Sequence, residues 1–405
     1  MTEARTRRPT LPSLTGARWW AAFAVFVVHA LVFLPVYPFQ KSDLFRSIHA
    51  LVPMQLGATG VTFFFVLSGF VIYWSFTPGT SRRLYYRRRI LKLWPTHLLT
   101  AALFVAVASV PLSRLVTWVP NVLLVHTWVP KWTTVGGLNV PSWSLCAEVL
   151  FYALFPLALP LVQKIPRSRL ITAALVLLGA VLALHLAYYV VVDGPKGIEN
   201  FFVPRLLPGD TSPYYEIHAS PQWFAQPDIP VSPSYWLSYT FPLSRLPEFF
   251  LGVLAARAVA EKRWTTTSLT LPLTALVVSF AATWVVPVNF KMSALVLAPT
   301  AAVIATLAAR DLAGVRGLNA SRPMVWLGDI SFAFYMIQFP VMAAITRFCI
   351  GGRSWGLGGF LAWSGVAFVL SVLLAHIIYR RVDQPIMSTF AGRPSTVSGR
   401  PTVPA

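Results

Sequence analysis

Apolar stretches long enough to cross a bilayer recur along this chain, separated by short polar links. The first, 11–39, reads LPSLTGARWWAAFAVFVVHALVFLPVYPF, and the second, 56–76, reads LGATGVTFFFVLSGFVIYWSF. A third follows the basic link SRRLYYRRRILK and ends near Val110. PSWSLCAEVLFYALFPLALPLV opens a fourth, with Ser142 standing where a helix cap is expected, and a fifth runs from about Leu170 to Val192. Five more cover about 235–260, 269–288, 292–309, 324–348 and 357–379. About 20 consecutive apolar residues suffice to span a membrane. The pattern therefore predicts an all-α polytopic bundle of about ten transmembrane helices.

Three stretches fall outside this pattern. VPNVLLVHTWVP, between the third and fourth spans, is too short to cross and reads as interfacial or re-entrant. The polar stretch 194–233 has the length of a lid or an acceptor-binding loop. The chain divides into a membrane domain, 1–385, and a short polar tail, 386–405, expected to be disordered and cytoplasmic. No internal repeat is evident.

Composition sharpens the class. Charged residues make up 11% and hydrophobic residues 56%, with a mean hydropathy of +0.64, whereas soluble domains carry about 25% charge. A net charge of +20 raises the question of nucleic acid. The basic residues instead cluster in short links between apolar runs, which is an orientation signal. With the N-terminus inside, 23 of the 33 Lys and Arg fall on the inner side, 9 on the outer side, and Arg245 lies within a span. An even number of spans with both termini cytoplasmic fits, as a multi-pass plasma-membrane protein. The first apolar run lacks a small-residue cleavage site and reads as an uncleaved span. Two cysteines, Cys146 and Cys349, give no disulfide framework and no metal set.

Ionisable residues inside the spans are candidate functional groups, because charge is costly at bilayer depth. Arg18 and His29 lie eleven positions apart, which returns nearly to the same helical azimuth about 16 Å further along. The stripe sets a guanidinium at the membrane surface and an imidazole deep inside. His29 reads either as an imidazole bonded between helices or as a general base, the one side chain that titrates unperturbed near neutral pH. Arg82, Arg83, Arg87, Arg88, Arg89 and Lys92 crowd the start of the third span. Most serve orientation and lipid phosphates, but Arg88 and Arg89 each share a helical face with Lys92. That cluster suits a multiply phosphorylated ligand such as an acyl-coenzyme A. Ser144 and Glu148 share a face in the outer half of the fourth span. Arg245 and Glu248 form an i,i+3 pair that reads mainly as mutual neutralisation. Gln338 lies mid-span. Gly57, Gly60, Ser68 and Gly69 read as a close packing face, and Ser68 also offers a hydroxyl to a cavity. No GxSxG, P-loop, HExxH or CxxC pattern occurs.

Several of these segments together, namely LPSLTGARWWAAFAVFVVHA, GATGVTFFFVLSGFVI, YYRRRILKLWP, PSWSLCAEVLFYALFP, RLPEFFLG and LGDISFAFYMIQFP, resemble the membrane acyltransferase 3 family from Leu11 to about Pro385. The resemblance implies that Arg18 and His29, an Arg and a His separated by ten residues, are required for activity. It equates Arg88, Arg89 and Lys92 with the family's basic motif, and Ser68, Gly69 and Phe70 with its Ser-Gly-Phe motif. Lys92 stands where the family usually has Arg, a point charge in place of a fork. Gln338 stands where many members have His, which removes a titratable group. The chain is too short for the SGNH esterase-like domain some members carry, so it resembles the actinobacterial members that acylate macrolides and others that modify surface glycans.

These observations predict an O-acyltransferase moving an acyl group, most simply acetyl, from acyl-CoA to a sugar hydroxyl. No cofactor is permanently bound. Arg18, Arg88, Arg89 and Lys92 hold the donor; His29 and Glu148 act on the reacting groups. Ser68, Ser144, Arg245, Glu248 and Gln338 line the cavity. A multi-span transporter or exporter, or a non-catalytic membrane scaffold, is the alternative.

Overall fold

A computed structural model describes residues 8–34, 38–39, 42–108, 113, 115–130, 138–192, 233–351 and 353–391, without the side chains of 46, 49, 50 and 117. The 194–233 stretch lies almost wholly outside these residues, as does the tail from 392. Among the described residues 83% are helical, and no strand occurs. The principal helices are α1 (Pro12–Phe33), α2 (Asp43–Leu51), α3 (Met54–Ser75), α4 (Arg82–Ala108) and α5 (Leu115–Val122). They continue with α6 (Trp143–Lys164), α7 (Leu170–Val191), α8 (Pro242–Ala260), α9 (Thr270–Ala282) and α10 (Ala294–Leu312), then α11 (Arg322–Ile345), α12 (Leu357–Ile378) and α13 (Gln384–Phe390).

Eight helical segments are long and apolar enough to cross a membrane. The two other expected spans, 235–260 and 269–288, contain shorter helices. Arg245, Glu248 and Arg257 interrupt the apolar run of the continuous α8, and α9 has only 13 residues. The expected tail boundary falls inside α13, which carries the chain on to Phe390. Lys92 Nζ lies 3.9 Å from Asp383, whose carboxylate also accepts from Thr96 Oγ1 at 2.5 Å, so the segment just before α13 is tied to α4.

Central and peripheral helices separate by burial. The segment containing α10 is 83% buried across its apolar window, against 17% for α7 and 22% for α12. Lipid tails are as apolar as leucine, so a peripheral helix gains little by burial and can be apolar all round. Leu175, Val176 and Val190 on α7, and Leu361 and Leu373 on α12, are exposed accordingly.

Close backbone approach holds the centre together. Helix α3 packs on α8 and on α1, and α1 packs on α11. A Cβ on Gly69 would sit 1.8 Å from the Phe249 carbonyl oxygen, and one on Gly252 would sit 1.8 Å from that of Val66. The α1–α11 contact repeats the reciprocal device: Gly328 faces the Thr15 carbonyl at 1.9 Å, and Gly16 faces that of Asn319, just before α11. Only glycine permits such crossings. Of the expected packing face, Gly69 and Gly60 meet backbone, whereas Gly57 makes ordinary contact with the Val28 side chain.

Candidate active site

Five helices carry polar residues toward one space. Arg18 lies six residues into α1, about 9 Å from its start. It lines a cavity of about 160 Å³ together with Arg89 and Lys92 of α4, Ser68 of α3, and Ser144, Glu148 and Tyr152 of α6. Phe332 and Tyr335 of α11 close another side.

Along α3 the wall runs from Val61 through Ser68 to Ile72, eleven positions on one azimuth, so the cavity extends about 16 Å along the helix axis. Its ends differ. At the Ile72 end the Arg89 guanidinium lies 5.5 Å from the Tyr85 and Tyr152 ring centres, and Lys92 Nζ lies 5.2 Å from that of Phe332. Glu148 Oε2 accepts from Tyr152 Oη at 2.9 Å, and Ser68 Oγ donates to the same Tyr152 oxygen at 3.5 Å. At the Val61 end the walls are Val61, Phe64, Phe65 and Leu145, with Ser144 Oγ 3.0 Å from Tyr335 Oη. Tyr335 Oη donates in turn to the Pro141 carbonyl at 3.0 Å. Three cations face one carboxylate on this wall. Such a space favours an anionic group at its cationic end and an apolar one at its other end.

His29 is not on this wall. Val61 is the wall residue nearest the start of α3, and one turn before it Gly57 stands against the Val28 side chain of α1. His29 follows Val28 directly and shares the azimuth of Arg18, so it stands about one helical turn beyond the Val61 end of the wall. Its ring meets that of Phe33 edge-on, and its Nδ1 is buried without a hydrogen-bond partner among the described residues.

Four expected site residues also lie off the wall. Arg88 is turned about 100° from Arg89, and its Nε donates to the Ala391 carbonyl at 2.9 Å, which binds α4 to the end of α13. Arg245 and Glu248 neutralise each other at 2.9 Å in full burial. The Arg245 guanidinium also donates to Thr62 Oγ1 at 3.2 Å and lies between the Phe65 and Tyr239 rings. Gln338 is buried and donates to the Tyr335 carbonyl at 3.1 Å. These groups support the cavity from behind.

Some wall residues escaped the sequence reading. Tyr152 stands four residues after Glu148, so their spacing alone brings them together. Tyr335 has no such local signal, because its partner Ser144 is 191 positions away. A second polar cluster lies above Ser144. His126 Nδ1 is 3.2 Å from Cys146 Sγ, and Asn121 Nδ2 donates to Ser142 Oγ at 3.0 Å. Ser142 therefore makes no side-chain cap on α6 and bonds this connecting segment instead. His126 is fully buried, which fits a re-entrant position better than an interfacial one.

Comparison with known proteins adds the following. The family model described as an acyltransferase domain (Acyl_transf_3) matches residues 11–380. Acyltransferase MdmB of Streptomyces mycarofaciens is 32% identical over 394 residues, covering 95% of this chain and 93% of that protein. Nodulation protein 10 of Rhizobium leguminosarum bv. viciae is 28% identical over 158 residues, covering 33% of this chain and 41% of that protein. No solved structure matches.

Proposed function

From the premise that this chain belongs to the Acyl_transf_3 acyltransferase family, we propose that it is a plasma-membrane O-acyltransferase using acyl-CoA, most simply acetyl-CoA. The acceptor is a sugar hydroxyl on a glycosylated natural product of macrolide type or on an envelope glycan. One observation carries the donor assignment: Arg18, Arg89 and Lys92 converge on a single cavity whose far end is apolar. Phosphates bind at the Arg89 and Lys92 end by charge-assisted hydrogen bonds. The arm then lies along α3, and the thioester reaches the end next to His29.

His29 takes the acceptor hydroxyl proton as its oxygen attacks the thioester carbonyl. The carbon–sulfur bond breaks, and the departing thiolate recovers a proton from the imidazolium. Glu148, held by Tyr152, balances positive charge on the wall and offers a carboxylate to the arm. Ten spans with both termini cytoplasmic put the Arg89 end toward the acyl-CoA pool, as the distribution of basic residues supports.

The test is coenzyme A thiol release by detergent-purified protein given acetyl-CoA and a panel of glycosylated acceptors. Acceptor-dependent release is expected. No release from any acyl-CoA, with the fold verified, would return the chain to the transport reading.

A further inference from the structure

Arg88, Lys92 and Thr96 stand four residues apart on α4 and form one stripe along it. The segment that joins α12 to α13 and continues to Ala391 lies against this stripe. Arg88 Nε donates to the Ala391 carbonyl at 2.9 Å, and Thr96 Oγ1 donates to Asp383 Oδ1 at 2.5 Å. Those two bonds tie the segment to α4 at both ends of the stripe. Lys92, between them, is left differently. Its ammonium is 3.9 Å from Asp383 Oδ2, beyond hydrogen-bond reach, and that oxygen is buried with no hydrogen-bond partner among the described residues. Lys92 also lines the cavity, with its Nζ 5.2 Å from the Phe332 ring centre, whereas Asp383 stands behind it, off the wall.

Resting on the acyl-CoA reading above, we propose that Asp383 is a positioning residue, whose fixed carboxylate holds the Lys92 ammonium at the cationic end of the cavity for a donor phosphate. Lysine carries a point charge on a flexible four-carbon stem, with no planar fork to orient it. Without a partner, the side chain loses rotamer freedom when it meets a phosphate, and binding is weakened by that loss. Asp383 removes the loss beforehand. Thr96 holds Oδ1, so Oδ2 is presented to Lys92 and is kept from turning away. The 3.9 Å gap leaves the three ammonium donors to the ligand, where a closer ion pair would compete with the phosphate. An arginine at this position would depend less on such a partner, since its fork is preorganised.

Coenzyme A binding tests this without an acceptor. Thermal unfolding of the purified full chain in detergent is followed against coenzyme A concentration for wild type, Asp383→Asn, Lys92→Arg and the double variant. Asp383→Asn should bind coenzyme A roughly 3- to 30-fold more weakly than wild type, the upper bound being the rotamer freedom of one lysine. In the Lys92→Arg background the same substitution should cost less than about twofold. Thr96→Val, which frees the carboxylate to turn, should weaken binding by a smaller factor, and again only where Lys92 is retained. A mere tether between α4 and α13 would lower the unfolding midpoint in both backgrounds alike and leave no such difference in affinity. Equal loss of affinity in both backgrounds, or unchanged or tighter binding by Asp383→Asn, would overturn the positioning role and leave the donor reading intact. No shift of folded wild type with coenzyme A would overturn the donor reading itself, and the positioning role with it. Where Asp383→Asn fails to fold, the Thr96→Val comparison in the two backgrounds decides.

Discussion

At the scale of single residues, the cavity divides the work between two groups of side chains. Arg89 and Lys92 line one end of the cavity, whereas His29 stands about one turn beyond its Val61 end. Replacing His29 with Ala should therefore reduce acceptor-dependent thiol release by about 10²–10⁴-fold and leave the affinity for coenzyme A in place. An Arg89→Ala variant should behave oppositely, with weaker coenzyme A binding and a shallower dependence of that binding on salt. Titrating coenzyme A into both variants, alongside turnover, separates the two roles. Equal losses of binding in both would show that His29 belongs to the donor site. The alignment of Arg18 with His29 was legible from their spacing, because helical azimuth is a local property. That Arg18 lines the cavity while His29 stands beyond its Val61 end depends on how α3 crosses α1, which no local property fixes.

At the scale of elements, the helix crossings are set by glycine. Gly252→Ala would drive a Cβ into the Val66 carbonyl, which has no flexible end to move aside. Strain of about 1–3 kcal/mol or more is expected, read as a lowered unfolding midpoint in detergent. Gly57→Ala meets only a valine side chain at 3.4 Å and should change the midpoint little. The Arg245–Glu248 pair makes a second prediction. Arg245→Met leaves Glu248 charged and buried, at a cost of about 3–5 kcal/mol, while the double variant with Glu248→Gln should recover much of it. A double-mutant cycle on the unfolding midpoint measures the difference. Gly57, Gly60, Ser68 and Gly69 stood out in the sequence as a packing face, but of these only Gly60 and Gly69 meet a neighbouring backbone. Gly69 is turned to α8 while Ser68, its neighbour in sequence, is turned to the cavity, a division that a 100° step makes unavoidable.

At the scale of the whole molecule, the excess of basic residues on one side predicts that the Arg89 end of the cavity faces the cytoplasm. In a Cys349→Ser background, a cysteine at Arg353 should react with a membrane-impermeant maleimide in intact cells. One at Arg87 should react only after permeabilisation, since both positions are exposed but on opposite sides. Labelling of both in intact cells would refute the orientation.

The sequence by itself determined the helical membrane class, the succession of apolar helices and their basic links, and the residues able to carry chemistry. Each of these depends on composition or on spacing within one helix. The tertiary structure decided which of those residues meet. Arg18, Ser68, Arg89, Lys92, Ser144 and Glu148 share one wall, while Arg88, Arg245, Glu248 and Gln338 turn to other contacts. It also brought in Tyr335, fixed by a serine 191 positions away. The physical reason is the membrane. Apolar side chains of every helix suit lipid and neighbouring helices alike, so pattern alone does not choose partners, and the choice falls to small-residue crossings and buried polar bonds between distant segments.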